Sequence, residues 1–232
     1  MSEFIDNIKN SLTNNLPSQG DLLIEAVKKD DMEEVRGLLF DGADVNTVSS
    51  GGATPLLHAI QNGNLVTVEL LISMGADVKK SSYTGATPLL FAAQKGRRAI
   101  VEELVKHGAN VNERHKENGS TPLIIAAQNG HLDIVNLLCT SGADVNRANN
   151  KGVTPLLVAV KNHYNNVVIY LRENGAVAKK KTNSGISPRK VAQDANDCAM
   201  MCLLHRWKFQ EHSAAGSSSY SNSAKFGYMD GI

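Results

Sequence analysis

Cys198, Cys202 and His205 are spaced i, i+4 and i+7. On a helix this spacing brings two thiols and an imidazole onto one face, because residues three and four apart lie above one another. Thiolate sulfur and imidazole nitrogen are ligands that zinc takes in structural sites, which close with four. A fourth ligand is not obvious, though His212 lies nearby in sequence. Small side chains on a terminal helix account for the same residues without a metal, since a free cysteine packs as a small hydrophobe. No other constellation stands out. The chain has no glycine loop of the phosphate-cradling kind, no H-E-x-x-H, and no Ser/His/Asp or Cys/His pattern that marks a catalytic nucleophile. The expectation is a chain that is not an enzyme and carries no cofactor and no metal.

The elements that would position such residues follow a period. TPLL stands at 54–57, 87–90 and 154–157, with TPLI at 121–124, so the threonines are 33, 34 and 33 residues apart. Five residues after each threonine comes Ala59, Ala92, Ala126 or Ala159, and nine after it Gly63, Gly96 or Gly130. A second series, Gly42, Gly75, Gly108, Gly142 and Gly175, opens GADVN, GADVK, GANVN, GADVN and GAVAK. Apolar pairs such as Leu38-Leu39, Leu70-Leu71 and Leu137-Leu138 precede it. Threonine caps the first amides of a helix, and proline suits the first helical position. Leu, Leu and Ala then build a short helix whose small alanine admits a neighbour. The first glycine ends that helix, and Leu132, Val135 and Leu138-Cys139 show the helical spacing of a second. The second glycine ends it, and a polar turn with extended flanks leads to the next unit. One unit cannot bury its own apolar face, whereas stacked units can.

This pattern resembles the ankyrin repeat over about residues 21–207. The resemblance implies an all-α solenoid of stacked helix-turn-helix units with β-hairpin loops. Six units are counted, at about 21–48, 49–81, 82–114, 115–148, 149–181 and 182–207. They are flanked by an N-terminal amphipathic segment, 1–20, and a flexible C-terminal tail, 208–232. The end units are atypical, as expected where one side faces water: Asp21-Leu22 replaces Thr-Pro in the first, and Ser187-Pro188 precedes Arg189-Lys190 in the last. The family's usual histidine is Leu57, Leu90, Ile124 or Leu157 here, which removes its hydrogen bonds. His163 replaces the first glycine in unit five, which puts that turn in doubt.

The resemblance further implies a concave groove, formed by hairpin tips and inner helices, that binds other proteins. Carried across residue by residue, the tips supply Val48, Ser49 and Ser50; Ser81, Ser82 and Tyr83; Arg114, His115 and Lys116; and Asn149 with Lys151. The inner helices supply Gln61 and Asn62, Gln94 and Lys95, Gln128 and Asn129, and Lys161 and Asn162. Tyr83 is the expected aromatic anchor, since tyrosine is enriched at interfaces. The extra residue of the 34-residue period falls in ERHKENGS, where it extends one finger of the groove. Asn46, Asn112 and Asn146 resemble the asparagines that intracellular hydroxylases modify in ankyrin repeats; tying adjacent hairpins is the other role open to them.

Net charge is +1, and nothing in that total points to nucleic acid or a membrane. It is unevenly spread. Residues 21–46 hold eight acids against three bases, and residues 172–208 hold eight bases against three acids. The basic end, with Lys179, Lys180 and Lys181 at a tip, would suit an acidic partner; the other reading is the ordinary solubility of an end unit. Three cysteines make no disulfide framework and fit a reducing compartment. MSEFIDNIKNSL is not read as a secretory signal, and no stretch approaches the ~20 apolar residues of a spanning helix. Phe4, Ile5, Ile8 and Leu12 make a short amphipathic stripe; 213–224 reads as a linker, and KFGYMDGI after it as either a short docking motif or a frayed terminus. The expectation is a cytoplasmic protein, monomeric on its own, with the nucleus not separated from the cytoplasm. It would bind one or more proteins as a scaffold, adaptor or stoichiometric inhibitor. Other readings are a structural subunit whose tails order in a large assembly, and a metal-dependent module.

Overall fold

A computed structural model describes residues 17–205 of the 232. Within them twelve helices form six antiparallel pairs: α1 Gln19–Lys29 with α2 Met32–Phe40, α3 Pro55–Asn62 with α4 Leu65–Ser73, and α5 Pro88–Lys95 with α6 Arg98–Lys106. Then follow α7 Pro122–Gln128 with α8 Leu132–Thr140, α9 Pro155–Lys161 with α10 Asn165–Glu173, and α11 Pro188–Asp194 with α12 Cys198–His205. The odd-numbered inner helices pack in a row, and each outer helix packs behind its own partner. Five loops join the pairs, at 41–54, 74–87, 107–121, 141–154 and 174–187. Each closes through a backbone bond, such as Ser49 N–H to Ala53 O at 2.9 Å, yet no strand occurs among the described residues.

Each inner helix starts for a local reason. Thr54, Thr87, Thr121 and Thr154 have extended backbones, and their hydroxyls accept from the amides of Leu57, Leu90, Ile124 and Leu157. Ser187 does the same for Lys190. Such a cap contributes about 1 kcal/mol. In the first unit Asp21-Leu22 does not start the helix. Ser18 caps it and accepts from Asp21 N–H at 3.1 Å, while the Asp21 carboxylate accepts from Ser18 N–H at 3.2 Å. This reciprocal box satisfies two amides at once, so α1 begins a turn earlier than the repeat register suggests.

Each turn from inner to outer helix contains one left-handed residue. The series runs Asp30 (φ 61°), Gly63 (77°), Gly96 (71°), Gly130 (73°), His163 (56°) and Asn196 (50°). His163 therefore holds the turn that loss of glycine put in doubt. A side chain in this region costs roughly 1–2 kcal/mol, which the packed helices on either side sustain.

One apolar cluster runs from Leu23 to Leu204. Ala59, Ala92, Ala126 and Ala159 are wholly buried where inner helices meet, so their small size sets the spacing of the stack. Leu57, Leu90, Ile124 and Leu157, at the histidine position, are also buried, so apolar contact stands in for the missing hydrogen bonds. Burial of a side chain this size stabilises by roughly 1.5–3 kcal/mol.

Asparagines tie the loop roots together. Asn46 donates to Gly75 O at 3.0 Å and accepts from Asp77 N–H at 2.8 Å. Asn112 bonds Gly142 and Asp144, and Asn146 bonds Gly175 and Val177, in the same way. Their amides are engaged in holding the array. Lys79 stands at the equivalent place between the second and third loops, where no such tie forms.

Candidate partner-binding surface

The inner helices face the loops across a groove. Between the first and second loops the groove deepens into a pocket of about 180 Å³, walled by Gly51, Ala53, Leu57, His58, Gln61, Ser82, Thr84, Ala86 and Phe91. His58 and Phe91 share one repeat position, four residues after the capping threonine. Ile125, Val158 and Val191 occupy it further along, and all five are half-buried. A stripe that turns from imidazole to hydrocarbon thus runs along the groove floor. The sequence reading passed over it, although reading the fourth residue after each threonine down the units would have found it.

His58 is the polar member of that stripe. Its Nε2 is buried with no hydrogen-bond partner. Burial pulls its pKa below the ordinary 6.5, nearby Lys28 pulls it further, and Glu25 opposes both. Lys95 at the next unit holds its ammonium 5.3 Å from the centre of the Phe91 ring, within cation–π range.

The residues carried over from the repeat pattern divide into two groups. Gln61, Gln94, Gln128 and Lys161 are exposed on consecutive inner helices, and Gln61 is a pocket wall. Tyr83 is 74% exposed, and its ring lies over Gly52, where any β-carbon would collide with it. Lys116 packs on Gly85 in the same manner and keeps its charge in water. Other side chains are engaged inside the array. Asn62 donates to Val27 O at 2.8 Å, Asn162 to Gln128 O at 2.7 Å, and Asn129 to Ile125 O at 2.9 Å. Asn149 accepts from the amides of Lys151 and Val153 and so shapes its own turn, as the Ser49 hydroxyl does by accepting from Ala53 N–H. Arg114 donates to Asn150 Oδ1 at 2.7 Å, and His115 Nδ1 accepts from Glu117 N–H.

The extra residue widens the third tip. Gly119 N–H bonds His115 O, four residues back, where the second tip bonds three back from Gly85 to Ser82. The enlarged turn also meets the next loop: Asn150 donates its backbone N–H to Asn118 O and its side chain to Glu117 O. Asn183 repeats the arrangement on Lys151 and Asn150. Third, fourth and fifth tips are therefore joined by hydrogen bonds, while at the first three tips Tyr83 lies on Gly52 and Lys116 on Gly85.

A family model for ankyrin repeats (3 copies) matches residues 23–115 and again 112–183. The chain belongs to the ankyrin-repeat family. Ankyrin repeats are in general protein–protein interaction modules. No curated protein matches the chain.

Among the described residues no group of three or more His, Cys, Asp or Glu side chains is placed to hold an ion. Cys198 and Cys202 are exposed, and half-buried Cys139 has its thiol pushed up to about 11 by burial. Among the described residues no helix is long and apolar enough to cross a membrane. At the basic end Lys180 donates to Asn146 O at 2.6 Å, while Lys179 and Lys181 are exposed. His212, the stripe of Phe4, Ile5, Ile8 and Leu12, the linker at 213–224 and KFGYMDGI lie outside the described residues.

Proposed function

We propose that this chain is a non-enzymatic interaction module that binds a protein partner through the concave face of its array. It serves as a scaffold, adaptor or stoichiometric inhibitor, monomeric on its own and cytoplasmic. The array would span about 21–207 together with the capping turn at Ser18, with 1–20 and 208–232 as flanking segments. The groove floor carries this reading: a half-buried stripe of His58, Phe91, Ile125 and Val158, bordered by exposed Gln61, Gln94, Gln128 and Lys161. Apolar surface left half-covered beside adaptable polar side chains suits a protein interface, with a desolvated centre and a polar rim.

Affinity capture from a native lysate tests it. The full chain is compared with a variant carrying Tyr83→Ala, Gln94→Ala, Lys95→Ala and Gln128→Ala, whose fold is checked by its thermal melt. All four side chains are exposed, so the variant should fold. Loss of the captured partner supports the groove. Equal capture by both would move the function away from it.

A further inference from the structure

We infer that the pocket between the first and second loops takes one large apolar side chain from an acidic, extended segment of the protein partner. The inference rests on the groove reading above and goes further by fixing where the segment anchors and what its charge is.

Three observations meet at this place. The first is size and lining. A cavity of about 180 Å³ is in the range of apolar cavities of ~150 Å³ that hold a benzene ring. Its walls are mainly Leu57, Phe91, Ala53 and Ala86, with His58 Nε2 buried and unpaired behind them. The second is the coupling of the loops. The first two are hydrogen-bonded at their roots through Asn46 and Lys80 while Tyr83 lies on Gly52 at their tips, whereas later loops are hydrogen-bonded at their tips as well. The third is charge. Along the tips and inner-helix ends of the second to fifth units stand Lys95, Arg114, Lys116, Lys151 and Lys161, against one acid, Glu117. The chain as a whole carries only +1, so the groove is far more basic than the molecule. A basic rim raises the local concentration of acidic segments and rejects basic ones. A pocket for one side chain suits an extended strand of partner better than a folded, convex surface. The 74% exposed Tyr83 lies over Gly52, between the pocket-lining Gly51 and Ala53, where it offers apolar surface beside the inserted group.

The test uses the full chain and a displayed library of random 16-residue peptides; enriched peptides are labelled and titrated by fluorescence anisotropy. The expected binders carry a Leu, Ile, Met or Phe among several Asp or Glu, and weaken as salt rises. Ala86→Ile should fill the pocket without harming the fold, since Ile186 and Val153 occupy the same repeat position. It should weaken the peptides at least tenfold, as should Lys95→Glu with Lys116→Glu. Peptides that tolerate Ala86→Ile but lose binding to the four-alanine variant overturn the pocket and leave the groove standing. Peptides indifferent to every variant overturn both. Enrichment without acids, no enrichment at all, or an oligonucleotide that outcompetes every peptide likewise overturns this inference.

Discussion

Glu113 is the acid most at odds with its surroundings. Its carboxylate meets the Thr87 hydroxyl at the start of α5, and burial raises its pKa above the usual 4.5 although that contact and the Leu90 amide lower it. A raised carboxyl contributes stability that is present below the unfolded pKa and lost as pH rises through the folded one. Glu113→Gln keeps an acceptor for Thr87 without the charge. The variant should therefore gain in melting temperature at pH 7 and show no gain at pH 4. His58 works in the opposite sense. Its lowered pKa means that stability is present above about 6.5 and declines as acidification proceeds toward the folded value. His58→Phe, the residue that the next unit already uses, should raise the urea midpoint more at pH 5 than at pH 7.5. Equal gains at the two pH values would mean that packing, not protonation, separates the two side chains.

At the scale of elements, the helix-to-helix turns are matched in pairs along the stack. The left-handed residue of one unit lies beneath the side chain that opens the next outer helix. Interior turns pair glycine with bulk: Gly63 under Arg97, Gly96 under His131, Gly130 under Tyr164. Toward the ends the left-handed residue has a side chain and its partner is small and polar. Asp30 accepts from Asn64 at 2.7 Å, and His163 lies 3.3 Å from Asp197. Space and hydrogen bonding thus trade places across one contact. Gly130→Ala and Gly63→Ala each incur roughly 1–2 kcal/mol from backbone strain. At Gly130 the added carbon also lies 2.8 Å from the Tyr164 ring, which packs against the core, while at Gly63 it meets the guanidinium end of Arg97, which can swing away. Urea denaturation should therefore rank Gly130→Ala as the more damaging; the reverse order would discard this pairing.

Over the whole molecule the stack is uneven. Its third to fifth tips are joined by hydrogen bonds through Asn150 and Asn183, and its first three are not. Native-state hydrogen exchange should find the Asn150 and Asn183 amides slower than those of Tyr83 and Lys116 at equal pH. Uniform rates would mean that the tips open together. The looser half holds the pocket and the exposed tyrosine, and surfaces that must adapt to a partner come from the less stable parts of a fold. In a solenoid each unit contacts only its neighbours, so such a gradient persists along the chain.

The sequence by itself determined the repeats, helix starts and turns, because each has a cause within a few residues: a hydroxyl three positions before an amide, a proline at the first turn, a residue that tolerates positive φ. Two local features escaped it. The Ser18–Asp21 cap lies outside the repeat register, and His163 shows that a turn can survive without its glycine. Tertiary structure alone decided which polar side chains remain available. Gln61 and Asn62 are adjacent amides, yet one lines the pocket and the other bonds Val27 O across the stack. Consecutive helical residues point about 100° apart. Only the neighbouring unit supplies the carbonyl that engages one and the void that leaves the other open, and neither is written in the segment that carries them.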